Sequence, residues 1–214
     1  MIEPRRTSAV FCGENPQMLL YATTENDQRT LSAAASYWRC VYSEHGEGNV
    51  LLVRLNEANG QQTGHTPFAI YSDNAALGRW MTDTFNRHME SWKDHDWRTV
   101  EVTPARFFQE SDSRYFHRVA CISGQTQVEA TWVDPRTHHF LVFPDLNKGG
   151  FGVNGDEHYD VYSAIFSCAV AHLLINGQVV IGEPNTRVLD DGRFSSSAFM
   201  AFAETWVKSE PVTG

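Results

Sequence analysis

The chain has 214 residues, of which 17 are Lys or Arg and 26 are Asp or Glu, so its net charge at pH 7 is −9 with histidine neutral. Apolar residues make up 42% and charged residues 20%, which is typical of a globular protein and excludes a disordered chain. A nucleic-acid binder needs a basic footprint that this balance does not provide, and a polybasic membrane anchor is disfavoured for the same reason.

The first ten residues contain Glu3, Arg5 and Arg6 but no apolar core, so we expect no secretory signal. The four cysteines, at positions 12, 40, 121 and 168, form no C-x-x-C pair, and this spacing excludes a zinc ribbon or finger. Cysteines in such an arrangement are typical of reduced, mostly buried thiols. The sequence therefore predicts a cytoplasmic protein, with no metal and no cofactor.

Most of the chain is predicted to form short strands. Segments 49–55, 68–71, 99–102 and 140–143 are rich in β-branched or aromatic residues and are bounded by turn residues. Hairpin turns are predicted at residues 45–48, at Ser123-Gly124 and at Asn176-Gly177, because Asn-Gly favours the positive φ angles of a type I′ turn. These signals together indicate a meander of antiparallel hairpins.

One main helix is predicted near 73–90, because Asp73 and Asn74 are helix-capping types and apolar residues follow them at helical spacing. A more helical, α+β alternative stays open for segments 32–43, 161–175 and 197–208. These segments are rich in alanine, the best helix former, and Gly177 would also suit a helix C-cap. Segment 161–175 is the most apolar of the chain, but its 15 residues fall short of the ~20 that span a bilayer.

The predicted fold is therefore a mainly β single domain, 1–214, built as a curled antiparallel sheet or a lipocalin-like β-barrel. Closing such a sheet removes its exposed edges, and a barrel of about eight strands leaves room for side chains or one small ligand. The likeness to lipocalins is one of shape, because the Gly-x-Trp signature of that family is not found near the N-terminus.

The glycine-rich segment 150–155 reads G-x-G-x-x-G, the pattern of a dinucleotide-binding turn. Such a turn must directly follow a strand, whereas residues 144–149 separate this one from segment 140–143, and Asp156 and Glu157 would repel a pyrophosphate. A surface loop is favoured here over a nucleotide-binding α/β domain. His158 and Asp160 have the H-x-D form of non-haem iron sites, but no third ligand is indicated.

Polar residues inside apolar strands are the candidate catalytic groups: His172, Glu204, His117 and Tyr162. On ideal strands His172 shares a face with Cys168, Val170 and Leu174, and Glu204 shares one with Met200, Phe202 and Trp206. A buried histidine as base and a desolvated glutamate or a tyrosine as acid could exchange protons with a substrate. For each residue taken alone a structural role is favoured: a core histidine bonded to a backbone carbonyl oxygen, or a glutamate on the outer face or paired with an arginine.

Aromatic residues in the predicted strands are the candidate ligand-binding groups. They are Trp38, Trp132, Phe166, Phe202 and Trp206. Such side chains either fill a core or line the apolar pocket of a small-molecule site. The first functional hypothesis is therefore a module that binds a small apolar or aromatic molecule, and the alternative is a metal-free lyase, isomerase or hydratase on the same fold. Sticky strand edges would also suit a homodimer.

Overall fold

The computed structural model describes residues 9–84, 91–112, 114–143 and 159–208. This part of the chain is mostly β, as the sequence predicts. Its strands are β1 (Ala9–Glu14), β2 (Gln17–Thr23), β3 (Arg29–Ser43), β4 (Gly48–Leu55), β5 (Phe68–Ser72), β6 (Val102–Pro104), β7 (Arg106–Asp112), β8 (Phe116–Ser123), β9 (Thr126–Phe143), β10 (Tyr159–Ile175), β11 (Gln178–Val179), β12 (Glu183–Pro184), β13 (Thr186–Val188), β14 (Phe194–Ser196) and β15 (Ala198–Lys208). The helices are α1 (Glu57–Thr63) and α2 (Ala75–Thr84), and a 3-10 turn covers Trp97–Thr99.

The three alanine-rich segments are strands β3, β10 and β15, so the helical alternative for them is wrong. The physical reason is that the middle of β3 is buried on both faces, with Ala33 and Ala35 in one core cluster and Ala34 in another. Small side chains on this strand let other layers pack closely against both faces of the curled sheet. Tertiary packing here outweighs the helix propensity of alanine.

One large sheet contains almost all the strands, in the order β6-β5-β4-β3-β1-β15-β10-β9-β8-β7, and β2 pairs with β3, β12 and β15. Because β1 and β2 are joined at Asn15 and Pro16 and both pair with β3 and β15, these four strands form a closed antiparallel ring. The predicted β-barrel is therefore confirmed, and these four strands close it.

The two ends of the strand order belong to one segment of chain, residues 102–112. Its first part, β6, pairs with β5, and after Ala105 the chain continues as β7, which pairs with β8. The Ala105 amide still donates to Ser72 on β5, and the Ser123 hydroxyl at the end of β8 donates to the Pro104 carbonyl oxygen. The sheet therefore curls until its first and last strands meet.

Two hydrophobic clusters lie on opposite faces of this curled sheet. The inner cluster contains residues from both halves of the sheet, among them Tyr37 on β3, Leu51 on β4, Trp132 on β9 and Met200 on β15. The outer cluster packs the other face against α2 and the segment after it; its largest members are Phe11, Trp38, Trp92, Trp97, Tyr159 and Trp206. The inner cluster fills the space enclosed by the whole curled sheet, which we call the barrel interior.

The predicted turns and helix are mostly confirmed. Asn176 and Gly177 have φ angles of 52° and 77°, as a tight hairpin turn requires, and they join β10 to β11. Helix α2 is capped by Asn74, whose side-chain oxygen accepts from the Leu77 amide, and it is described as far as Thr84; residues 85–90 lie outside the described residues. The strand predicted at 99–102 is instead a 3-10 turn followed by β6. The glycine-rich segment 150–155 and His158 also lie outside the described residues.

Candidate functional site

His117 lies in the barrel interior, on β8. Strand alternation points its side chain inward together with Val119 and Cys121, and its cross-strand partner on β9 is Trp132. The ring centroids of Trp132, Phe202 and Tyr37 lie 5.6, 5.5 and 6.3 Å from the centroid of the imidazole. The imidazole is fully buried in this aromatic cage.

Neither ring nitrogen of His117 has a hydrogen-bond partner among the described residues. Burial lowers the pKa of His117 from its ordinary 6.5 to about 4, because the charged form would lose its hydration; the negative charge of Glu14 opposes this effect and the positive charge of Arg39 adds to it. The ring is therefore neutral at pH 7, with one N–H donor and one acceptor nitrogen. Leaving such a group buried without partners costs about 1–3 kcal/mol.

A solvent-exposed polar bridge lies near His117. Glu14 on β1 accepts from Arg39 on β3 at 3.1 Å and from Gln109 on β7 at 2.7 Å. Gln109 lies on the last strand of the sheet order and Glu14 near its middle, so the bridge connects distant parts of the curled sheet. Both nearby charges are thus paired with each other, and their remaining contacts are neutral.

A series of rings leads from His117 to the surface. Phe202, which contacts the imidazole, lies 5.8 Å from Phe166 between ring centroids, and Phe166 lies 5.8 Å from the exposed ring of His138. Phe202 and Phe166 are each only partly buried. Their side chains therefore lie on an aromatic path between the interior and solvent.

A cavity of about 240 Å³ opens at the same end of the barrel. It is lined by Cys12, Gly13, Glu14, Val41, Ala203, Glu204 and Thr205. The cavity and the His117 cage share neighbours, because Glu14 acts on the His117 charge and Phe202 immediately precedes Ala203. The cavity therefore borders residues that adjoin the cage.

Irregular strand geometry shapes this cavity. The register between β1 and β3 shifts between Cys12 and Gly13, opposite Val41, and the register between β10 and β15 shifts around Ala203. Ala203 has a φ of 50°, the left-handed region that alanine rarely adopts. Such β-bulges bend a strand and are frequent next to functional sites.

Glu204 is buried on the other face of the same bulge. Its Oε1 accepts from the Trp206 indole N–H at 2.7 Å and from the Asn15 amide at 3.4 Å. Burial raises the pKa of Glu204 to about 7, although hydrogen bonds from Trp206, Asn15 and Ser163 act to lower it. The buried Ser163 hydroxyl lies near Glu204 but forms no well-aligned hydrogen bond within the described residues.

The predicted faces of β15 are corrected by the bulge. Met200 and Phe202 pack in the inner cluster, whereas Trp206 packs in the outer cluster, so Glu204 does not share a face with Phe202 as predicted. The left-handed Ala203 adds one residue to the strand and reverses the alternation after it.

His172 is also not where the sequence placed it. A register shift between Ser167 and Cys168 breaks the alternation of β10, so that Ala171 and Leu173 point inward and His172 is exposed. Ser163 lies opposite the bulge that holds Glu204. His172 lies nine residues beyond Ser163, which is about 30 Å along the strand. The structure therefore does not bring His172 and Glu204 together.

The remaining predicted residues fall into two groups. Tyr162 is 43% exposed and pairs with Thr205, which lines the cavity, so Tyr162 lies at the cavity's edge. Of the five predicted ligand-binding residues, Trp132 and Phe202 belong to the His117 cage and Phe166 contacts Phe202, whereas Trp38 and Trp206 pack together in the outer cluster, with ring centroids 6.3 Å apart.

Three residues near the site were not predicted from the sequence: Tyr37, Phe107 and Glu14. Tyr37 and Phe107 lie 6.1 Å apart between ring centroids, and Tyr37 is part of the cage wall. Alternation could have identified Tyr37, since it is two residues after Ala35 on an apolar strand. No local pattern indicates Glu14, because its partners Arg39 and Gln109 are 25 and 95 residues away in the sequence.

Comparison of the chain with protein-family models, with curated proteins and with solved structures finds no match in any of the three. Within residues 9–84, 91–112, 114–143 and 159–208, no group of three metal-ligating side chains comes together. No helix in these ranges has the length and apolar character to cross a membrane. The chemistry available at the site is thus that of a neutral imidazole, aromatic walls and a buried carboxyl group.

Proposed function

We propose that the protein binds a small apolar or aromatic molecule in the barrel interior, beside His117. One observation carries this proposal: a fully buried imidazole has two ring nitrogens without a hydrogen-bond partner in the described part of the chain. Buried polar groups in proteins are nearly always paired, so an exception needs an explanation. A ligand that bonds to His117 supplies one.

The surroundings of His117 support this function. The cage is aromatic, which is typical of small-molecule sites with a few polar anchors. Phe202 is only partly buried and directly precedes the cavity-lining Ala203, and the 240 Å³ of the cavity corresponds to about eight water molecules at ~30 Å³ each. The ligand is therefore small, of the size of one or two rings.

Native mass spectrometry of the freshly purified protein tests the proposal. The wild type and His117→Leu should be compared with His172→Leu, in which the same change is made at an exposed position on the outer surface. We expect an added mass on the wild type and on His172→Leu that disappears on denaturation, and less or none on His117→Leu. A bare mass for the wild type, together with no rise in melting temperature with saturating p-cresol or p-xylene, would overturn the proposal.

Acid–base catalysis on a molecule bound in the cavity is a second candidate function. Glu204 favours this function, because it lines the cavity and its pKa of about 7 suits proton transfer. Thr205, the next cavity-lining residue, pairs across the strands with Tyr162. The test is the mass of the molecule that copurifies with Glu204→Gln. An enzyme would accumulate unconverted substrate on this variant, so its bound mass would differ from that on the wild type, whereas identical masses argue for binding alone.

A further inference from the structure

We infer that the site beside His117 selects uncharged aromatic molecules that carry a hydroxyl group, as a phenol does. This inference rests on the proposed function and names the class of ligand. It follows from three properties of the cage: which polar groups are already satisfied, which charges are already paired, and how the rings are arranged.

His117 is the one polar member of the cage whose bonding capacity is unused. The Tyr37 hydroxyl donates to the Asn49 side-chain oxygen at 2.6 Å, and the Trp132 indole N–H donates to the Gln17 carbonyl oxygen at 2.8 Å. The His117 nitrogens have no such partner in the described residues. A hydroxyl group both donates and accepts, so it can bond to either nitrogen in either tautomer of the neutral ring.

The charges near the cage disfavour an ionised ligand. Arg39 and Glu14 are paired with each other at a solvent-exposed position, and no unpaired counter-charge contacts the imidazole within the described residues. A carboxylate or ammonium group placed against His117 would lose its hydration without gaining a counter-charge, which is strongly unfavourable in an apolar interior. An uncharged group avoids this cost.

The rings of the cage favour an aromatic body for the ligand. Phe202 meets the imidazole edge to face, with an interplanar angle of 74°, and Trp132 and Tyr37 meet it at 52° and 39°. Rings packed at such angles and centroid distances attract one another beyond the burial of area alone. A planar ring that enters past Phe202 can adopt the same contacts.

Three small probes separate these properties by calorimetric titration at pH 7. The probes are p-cresol, its near-isostere p-xylene, which has a methyl group in place of the hydroxyl, and benzoate, which is an anion. We expect the wild type to bind p-cresol about tenfold or more tightly than p-xylene, because the hydroxyl satisfies a buried group that xylene leaves unpaired. Benzoate should bind more weakly than p-cresol.

The His117→Leu variant should lose the preference for p-cresol and still bind p-xylene, whereas the control His172→Leu should keep the wild-type ratio. Equal binding of p-cresol and p-xylene by the wild type would overturn the inference and leave the binding function standing, and so would tightest binding of benzoate. Failure of all three probes to bind the folded wild type would overturn the binding function itself, and the inference with it.

Discussion

His117 and Glu204 are both polar side chains within apolar strands, and each is buried on a different face of the curled sheet. Their environments differ in one respect: Glu204 accepts hydrogen bonds from Trp206 and Asn15, whereas His117 has no partner in the described chain. The hydrogen bonds of Glu204 therefore stabilise the folded state, whereas the burial of the unpaired His117 destabilises it.

Replacing His117 by phenylalanine should therefore not destabilise the protein at pH 7. Phenylalanine fills a similar planar volume and removes two unpaired polar atoms, so we expect the free energy of unfolding to stay unchanged or to rise by about 1 kcal/mol. Urea denaturation followed by tryptophan fluorescence measures it.

The matched control for this prediction is Trp132→Phe, at the cross-strand neighbour. It removes the indole N–H that bonds to the Gln17 carbonyl oxygen and leaves a void, so we expect a loss of about 2–4 kcal/mol. A loss of more than 2 kcal/mol for His117→Phe would show that the imidazole is bonded within the folded protein and would contradict the prediction.

At this scale the sequence could identify candidates but not decide between them. His117 and Trp132 point inward with their strand neighbours, and counting residues suffices to group them, because β8 and this part of β9 alternate regularly. His172 and Glu204 lie beyond irregularities in β10 and β15, where counting residues gives the wrong face. Pairing partners distant in sequence, such as Gln109 for Glu14, leave no local signal.

Among the secondary-structure elements, β1, β3 and β15 meet at two β-bulges. Gly13 on β1 packs directly on the backbone of β3, and a Cβ atom there would overlap the Arg39 carbonyl oxygen. The φ of Gly13 is not positive, so the requirement for glycine is one of space. The close approach fixes the register of β1 against β3 and with it the position of the cavity-lining residues.

Gly13→Ala should accordingly destabilise the protein by about 3 kcal/mol or more, because relief of the overlap must shift the backbone of a central strand. Gly60→Ala in α1 is the control; its Cβ would lie 3.2 Å from the His65 carbonyl oxygen, and alanine improves helix propensity, so the effect should be small. Thermal and urea unfolding measure both, and equal effects of the two changes would refute the steric argument.

The caps of the two helices offer another comparison. Asn74 accepts from the Leu77 amide and also donates to the carbonyl oxygens of His45 and Glu47, so it joins α2 to the turn between β3 and β4. Asn74→Ala should cost about 2–3 kcal/mol. Asn56→Ala, which removes the single cap bond to the Asn59 amide in α1, should cost about 1 kcal/mol. Equal losses in urea denaturation would show that the contacts to the turn contribute nothing.

Elements with strong local signals were predictable from the sequence. The turn at Asn176 and Gly177 and the start of α2 depend on side chains that act on their own backbone. The alanine-rich strands were ambiguous because their conformation depends on burial from both faces, which a single sequence does not reveal. Bulges such as that at Ala203 depend on cross-strand register and have no sequence signature here.

At the scale of the whole molecule, curling of the sheet creates two separate buried environments. The segment 102–112 joins β5 to β8 and encloses His117, while the outer face carries Glu204 under the second cluster. Each environment shifts the pKa of its titratable group away from the charged form, and the two groups have opposite charge types. Their effects on stability as a function of pH must therefore oppose each other.

For Glu204 the folded pKa of about 7 lies above the ordinary 4.5, so the folded state keeps a proton that the unfolded chain releases. Its contribution to stability is present below pH 4.5 and is lost as the pH rises to about 7. For His117 the folded pKa of about 4 lies below the ordinary 6.5, so between these two pH values the unfolded chain binds a proton that the folded state does not bind. Its contribution is present above pH 6.5 and is lost as the pH falls to about 4.

Each shift corresponds to about 3 kcal/mol across its window, and the windows overlap between pH 4.5 and 6.5, where the two slopes cancel in the wild type. In Glu204→Gln the histidine acts alone, so stability relative to the wild type should increase as the pH rises through this range. In His117→Leu the carboxyl group acts alone, and relative stability should decrease. Urea denaturation at pH 4.5, 5.5, 6.5 and 7.5 measures the curves, with the double variant as the control that shows neither slope; curves parallel to the wild type for both single variants would contradict the opposition.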